Sequence, residues 1–377
     1  MITGNNNLAA LRQMESIDLA PTRLRRDHII PEEYRSDDVE QKYDRTTLWY
    51  DAIWANGVVQ LICPPLWGLE EVLTRRCLFL DGQKVTKFRR RRFKYFEIIS
   101  IKSPTPPSRV EVHVDDSILS SGVNVAEFDL FRGLNTIVVK SKNNELQWIK
   151  DFAVFHRKTQ GAQGILFFDN GSDAYSLADL QHVLSTTGLQ AVVVDAPFRF
   201  GPDVKDAGSA YRTRGQFFQH AILNIAKLRF LLQARAVTSL DVDELVWSEG
   251  DSIFDKAVSS WLGYVSFRGF WRYPPPDATP PLRHADHVWG KVKSSKTGRL
   301  PPGIRKYAVV PGRPFGKLVW SVHRVGPPKS EDLFERRDCG FWHCSGISTG
   351  WRYTSRLYDS GGSFMDEEAR IIGSVME

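Results

Sequence analysis

The sequence predicts an α/β protein: a mostly parallel sheet with helices on both faces, preceded by a β-rich, sandwich-like region. Three observations lead there. From residue 135 onward, short β-branched runs alternate with helix-like runs. Polar and acidic clusters follow those strand-like runs directly, at 141–145, 169–173 and 241–244. Between 46 and 134, in contrast, some six short strand-like runs follow one another with turn residues between them.

The 377 residues exceed one typical domain and suggest two. An apolar content of 42% with 25% charge is ordinary for a globular chain and excludes extensive disorder. The net charge of +6 is modest, and much of it sits in Arg89-Arg90-Arg91-Arg92-Phe93-Lys94. So local an excess fits a solvated sheet edge, or contact with an anionic glycan or membrane surface, better than nucleic-acid binding. Cys63, Cys77, Cys339 and Cys344 form no C-x-x-C pair, which argues against a zinc ribbon or a disulfide scaffold. Neither a signal peptide nor an apolar run of about 18 residues is present, so the expected place is the cytoplasm, peripheral to the inner face of the membrane at most.

In chain order, residues 1–45 read as a polar segment with short helices at 8–17 and 31–43. The β-rich region 46–134 carries candidate strands at 58–63, 76–80, 84–88, 95–102, 109–114 and 125–131, with Asp81-Gly82 as a tight hairpin turn. Its role could be carbohydrate binding, acceptor positioning or scaffolding. The α/β region begins with a strand at 136–140 and a helix at 144–155. A strand at 164–168, a helix at 176–185, a strand at 191–195 and a longer helix at 215–233 follow, then a strand at 236–240. Beyond Val246 the chain is aromatic and Pro-rich, with strands expected at 264–271, 305–311 and 317–323.

The stretch that organises the rest is Ser239-Leu240-Asp241-Val242-Asp243-Glu244-Leu245-Val246. Three carboxylates within four positions, flanked by apolar residues, are costly at a buried strand end unless a positive charge offsets them. A divalent cation is the usual remedy, with phosphate oxygens completing its shell. Strand alternation would put Asp241 and Asp243 on one side and Val242 in the core. The alternative is a solvated acidic turn. In open parallel sheets, ligands bind at the carboxyl ends of the strands, and three polar clusters fall there.

Three stretches resemble the glycosyltransferase family 92-like group within the family 2-like superfamily, which has the Rossmann-like GT-A fold. Lys142-Asn143-Asn144-Glu145 with Trp148, Asp151 and His156 is similar to the group's opening motif. Phe168-Asp169-Asn170-Gly171-Ser172-Asp173 is similar to its turn motif. Leu240-Asp241-Val242-Asp243-Glu244-Leu245 is similar to its metal motif. The resemblance covers residues 135–355, leaving 1–45, 46–134 and the tail 356–377 unexplained. Phe168, Leu245 and Asp151 depart from the usual Tyr, Phe and Glu, and His343-Cys344 stands for a late His-Tyr pair.

The resemblance implies a hexosyltransferase-like enzyme that moves a sugar from a nucleotide donor, most simply a UDP-sugar, to a saccharide acceptor with inversion. Polysaccharide, glycolipid or lipopolysaccharide synthesis would be the setting. Ser141, Asn144 and Glu145 would line the nucleotide pocket; helix capping is their alternative. Asp169 would accept the imide N–H of uracil, with an Asx-turn as its alternative. Asp243 would coordinate Mn²⁺ or Mg²⁺, and Asp241 would hold the metal's water shell or the ribose. Glu244 would be a catalytic-site residue orienting the loop. His343 would return to the metal, with His323 a weaker choice. The general base would be Asp338, with Glu335 and Asp286 behind it. Trp271, Trp342 and Trp351 would stack on sugar faces or lie in the core. The competing classes are a GT-A-like glycan-binding or scaffold protein without catalysis, and a nucleic-acid binder. A nucleotidyltransferase would need a Gly-rich phosphate loop near the first strand, which is absent.

Overall fold

The computed structural model describes residues 9–74, 77–114, 116–205, 212–275, 277–291, 304–347, 363–365 and 375. The chain divides into two compact units: Met1–Arg12, Leu130–Asp195 and Gln233–Glu377 form one, Gln13–Asp129 and Ala196–Leu232 the other. Residues 196–232, read from sequence as part of the α/β region, thus cluster with the β-rich residues.

The first unit is a mixed α/β structure on a large sheet, with eleven strands among the described residues. In chain order they are β1 (Ala10–Gln13), β2 (Asn135–Ser141), β3 (Gly164–Asp169), β4 (Gln190–Asp195), β5 (Ala236–Ser239) and β6 (Glu244–Ser248). Then come β7 (Tyr264–Tyr273), β8 (Trp289–Lys291), β9 (Arg305–Val309), β10 (Glu335–Cys344) and β11 (Ser363–Met365). The order across the sheet is β1-β4-β3-β2-β5-β9-β7-β8-β11, with β10 paired to β7 and β6 to β10. Strands β4, β3, β2 and β5 run parallel, whereas β9 is antiparallel to both β5 and β7. The central parallel strands are near-continuous apolar runs, as burial on both faces demands; every residue of β3 is buried.

Three helices matter here: α1 (Leu146–Gln160), α2 (Leu177–Ser185) and α3 (Ile253–Ser259). Helix α1 buries Trp148, Ile149, Phe152, Ala153, Phe155 and His156, the spacing of one helical face. It stops at Gly161, whose φ of 64° suits a residue without Cβ. Helix α2 starts with a capping box between Ser176 and Asp179.

His156, buried in α1, donates from Nδ1 to the Phe152 carbonyl (2.8 Å) and accepts the Val246 N–H at Nε2 (3.1 Å). Both nitrogens are therefore in use with the ring neutral. Burial lowers its pKa to about 3, that of His287 to about 4, and that of His284 in the same direction. The unfolded chain takes up these protons below about 6.5 and the folded one only at lower pH, so stability falls as pH drops. We expect the unfolding free energy to fall between about pH 6 and pH 4, by up to ~1.4 kcal/mol per pH unit for each histidine that stays neutral. Urea midpoints at pH 7, 5.5 and 4.5 measure this, and a flat profile would contradict it.

The second unit holds a five-stranded and a four-stranded sheet. The former runs in the order Asn124–Val125, Asp51–Ala55, Val58–Cys63, Glu97–Lys102 and Arg89–Arg92, and the latter in the order Ser117–Gly122, Arg109–Val114, Leu78–Leu80 and Gln83–Lys84. One buried cluster draws on both, including Leu61, Ile99, Val110 and Val112. Asp81 and Gly82 make the two-residue hairpin, with φ of 46° and 77°. In the second segment of this unit, helix Phe217–Ala226 continues into a π turn, Lys227–Leu231. There the Arg229 guanidinium meets the buried Asp51 carboxylate at 3.1 Å, and Phe198 and Phe218 pack on Tyr50.

Several local expectations are corrected. Residues 8–17 were expected as a helix, but Ala10–Gln13 instead pairs as the edge strand β1. The strand expected at 125–131 is a two-residue pairing followed by a 3-10 turn, Phe128–Phe131. The strand at 317–323 is replaced by a 3-10 turn, Phe315–Lys317, and a single bridge from Trp320 to Val325. No helix among the described residues is long and apolar enough to cross a membrane.

Candidate active site

The site lies at the carboxyl ends of the parallel strands in the first unit. Register aligns Ser141, Asp169 and Asp195 as the last residues of β2, β3 and β4. Strand β5 stops at Ser239, and residues 241–244 form a turn rather than a continuing strand. The Glu244 N–H closes on the Asp241 carbonyl at 3.0 Å, and the Glu244 carboxylate accepts the Asp241 N–H at 2.8 Å. Strand alternation therefore does not govern the acidic motif, and Asp241 and Asp243 meet different partners.

Asp241 is held by Lys306, whose Nζ lies 2.9 Å from Asp241 Oδ2 and 2.7 Å from Glu244 Oε2. Lys306 comes from β9 and is 1% exposed, so it is the buried positive charge that the acidic cluster requires. Burial works against the ionised form of Asp241, but Lys306 and Lys140 overcome it and hold the carboxyl well below its ordinary range. Glu244 goes the other way: burial, reinforced by the charge of Asp241, pushes it up although Lys306 opposes this. Lys306 itself is shifted upward, since its two carboxylates outweigh its burial.

Asp243 faces His343. Pairing of β6 with β10 sets Glu244 opposite His343, which brings His343 Nε2 to 2.8 Å from Asp243 Oδ2. The Cys344 N–H donates to the Asp243 carbonyl at 2.8 Å. Trp271 of β7, in register with His343, stacks on its ring at 4.0 Å and 14°. Burial disfavours the charged imidazole, but Asp243 more than offsets this and raises its pKa.

Asp243, Glu244 and His343 offer one ligand atom each within 4.8 Å of one another. Two carboxylates and an imidazole suit a first-row ion such as Mn²⁺ better than Mg²⁺, which prefers oxygen alone. Lys306 binds both Asp241 and Glu244, and of the two it is Glu244 that has an oxygen in this group.

The neighbouring loops are tied to each other. Asp169 accepts from Ser172 N–H (2.8 Å), Ser172 Oγ (2.6 Å) and Tyr175 OH (3.2 Å), as an Asx-turn residue does. Asn144 donates to Ser141 Oγ at 2.7 Å, while Glu145 is exposed and makes no side-chain cap. Asn143, given no role of its own from sequence beyond its place in the opening motif, has φ of 58° and joins the two loops. Its amide accepts the Asp173 N–H at 2.8 Å and donates to the Asp173 carboxylate at 2.8 Å. Its signal was there in the Asn-Asn pair after a strand, since Asn tolerates the left-handed region.

Other expected residues stand elsewhere. Asp338 lies five positions from His343 along β10, roughly 16 Å at the usual rise of a strand. Lys256 (2.8 Å) and Arg336 (2.6 Å) bind its carboxylate, and the Arg336 hydrogen bond in particular holds it far below its ordinary range. It is in no position to serve as the base for this site. Glu335 is occupied by Arg268 and Arg305, and Asp286 caps the Arg283 N–H at 2.7 Å. His323 is exposed and bonded to the Arg305 carbonyl, Trp342 is core, and Trp351 lies outside the described residues. Asp338→Asn is expected to leave metal and nucleotide binding unchanged and to reduce stability by about 1 kcal/mol or less. Titration and urea unfolding of the variant check both; a tenfold loss of binding would return Asp338 to the site.

No protein-family model matches the chain, nor does any curated protein. Among solved structures, twenty-six chains match. One is the galactosyltransferase LgtC, crystallised in complex with donor and acceptor sugar analogs. The TM-score is 0.25 at 17% identity, covering 36% of this chain and 46% of that one, so the chain spans under half of that protein's length. A likeness of that extent assigns no activity.

Proposed function

We propose that the chain is a metal-dependent glycosyltransferase of the GT-A type, transferring a sugar from a nucleotide-sugar, a UDP-sugar foremost, to a saccharide acceptor. One observation carries this reading: the acidic turn after the central strand β5 meets a histidine from a distant strand, making a three-ligand group at the edge where parallel sheets bind ligands. The three motif resemblances agree with it. Asp243, Glu244 and His343 would hold Mn²⁺. The bound ion would supply charge neutralisation for a departing nucleoside diphosphate.

The chain's own residues prepare the site. Lys306 keeps Asp241 ionised and the turn closed. Trp271 fixes the plane of the His343 ring. Ser141 and Asn144, bonded to each other at the end of β2, would border the nucleotide. In the other unit, whose five-stranded and four-stranded sheets we read as the layers of a sandwich, Arg89, Arg92 and Lys94 are exposed. They would meet an anionic glycan or membrane surface.

One observation favours the second reading, a glycan-binding or scaffold protein without catalysis: Lys306 already neutralises Asp241 and Glu244, which lowers the need for a cation. UDP release from a panel of UDP-sugars with Mn²⁺ and saccharide acceptors separates the two. Release at least ~tenfold above an Asp243→Ala control supports the transferase. Equal background release, with saccharide binding retained, supports the scaffold.

A further inference from the structure

We infer that His284 and His287 are positioning residues, a two-point strap that holds together the two chain segments from which the metal site is built. The inference rests on the metal-site reading for its purpose, though not for its geometry.

The strap is the segment from Leu282 to His287, and helix α1 fixes it at two points. Trp148 Nε1 donates to the Leu282 carbonyl at 2.8 Å. The Arg283 guanidinium grips the Asp151 carboxylate with bonds of 2.6 and 2.9 Å. From this anchored base the two histidines, both 0% exposed, reach opposite sides of the site.

His284 Nε2 lies 2.7 Å from the carbonyl of Val242, the residue between Asp241 and Asp243. A carbonyl only accepts, so the proton is on Nε2. Nδ1 has no hydrogen-bond partner among the described residues. His287 uses the opposite tautomer. Its Nδ1 donates to the Arg283 carbonyl at 2.9 Å, and its Nε2 accepts the Gly346 N–H at 3.0 Å. Gly346 lies three residues beyond His343, and a Cβ there would come within 2.7 Å of His287 Nε2. One histidine thus pins the acidic turn and the other pins the end of β10. Between them lie the Cys344–Asp243 backbone bond and the His343–Asp243 pair. In sequence His284-Ala285-Asp286-His287 has the look of a ligand pair, yet both Nε2 atoms face backbone groups.

The experiment uses the full chain with His284→Phe, His284→Gln, His287→Phe and His287→Gln. Phenylalanine keeps a ring and most of the volume without the hydrogen bond; glutamine places an amide donor or acceptor near the Nε2 position. Hydrogen exchange is followed in peptides covering residues 240–246 and 343–347, with 164–169 as control. Mn²⁺ affinity is read by electron paramagnetic resonance well below the unfolding midpoint.

The phenylalanine variants should speed exchange at the two site peptides by ~tenfold or more, leave the control unchanged, and weaken Mn²⁺ by a similar factor. The glutamine variants should stay within about threefold of wild type in both readouts. Unchanged site exchange, or acceleration equal in all three peptides, would overturn the proposal and leave the histidines as ordinary core. If the phenylalanine variants do not fold, the glutamine variants decide: losses of ~tenfold in them would overturn it as well. Absence of Mn²⁺ binding by wild type overturns the metal reading instead, and the exchange data still decide the strap.

Discussion

Lys306→Met is expected to destabilise the first unit by about 3–5 kcal/mol, since it leaves Asp241 and Glu244 beside each other without their cation. Glu244 is 1% exposed, so water cannot replace Lys306 there. Glu244, already shifted upward by burial, would take up a proton and part of the penalty would disappear. For the same reason, adding Glu244→Gln to Lys306→Met should recover part of the lost stability, a non-additivity expected of directly bonded partners. Mn²⁺ should raise the melting temperature of Lys306→Met more than that of wild type, because the freed carboxylates offer the ion extra charge. Urea and thermal unfolding, with and without Mn²⁺, measure all three. A loss under about 1 kcal/mol would mean that Lys306 contributes no more than a surface ion pair does.

Asp243→Ala should behave in the opposite way, with small effects on stability and a large one on binding. Asp243 is partly exposed, and its backbone bond to Cys344 does not need the side chain. The fold should therefore lose no more than about 1–2 kcal/mol. Mn²⁺ affinity should fall by roughly a hundredfold or more, since a site with one fewer carboxylate also loses the group that orients His343. His343→Ala should act in the same direction, and the double variant, left with Glu244 alone of the three, should bind no more tightly than either single one. Paramagnetic resonance of free Mn²⁺ supplies the measurement. Binding that survives Asp243→Ala would place the ion, and the active site, elsewhere.

The central parallel strands were readable because burial on both faces leaves an unmistakable mark, the runs Ile137-Val138-Val139 and Ile165-Leu166-Phe167-Phe168. The acidic turn was readable because three carboxylates at a strand end need a chemical reason. Of its partners, His343 was expected from sequence and lies 2.8 Å from Asp243, but Lys306 was not. Lys306 is 65 positions from Asp241, and nothing local distinguishes it from the other cations of its stretch. Only the antiparallel placement of β9 beside β5 brings its side chain to the turn. The strap histidines were missed for a related reason, since their partners are backbone groups, which carry no sequence signal.

Helix propensity misled at 8–17, where pairing at the sheet edge overrides it for Ala10–Gln13. The helix at Phe217–Ala226 followed the expected alternation in sequence but clusters with the β-rich unit, and no composition shift marks residues 196 and 232 as crossing points. Asp338 stands just before the Phe341–Gly346 stretch in sequence, which suggests nearness to His343. A strand rises more than 3 Å per residue, so five positions carry it away from the chemistry.

The measurement that tests the central claim most directly is calorimetric titration of the protein with UDP, with and without Mn²⁺, repeated on Asp243→Ala. Metal-dependent UDP binding that disappears in Asp243→Ala is the predicted result, and would tie nucleotide and ion to the turn between β5 and β6. Absence of UDP binding by wild type in the presence of Mn²⁺, or binding indifferent to both Mn²⁺ and Asp243, would contradict the account.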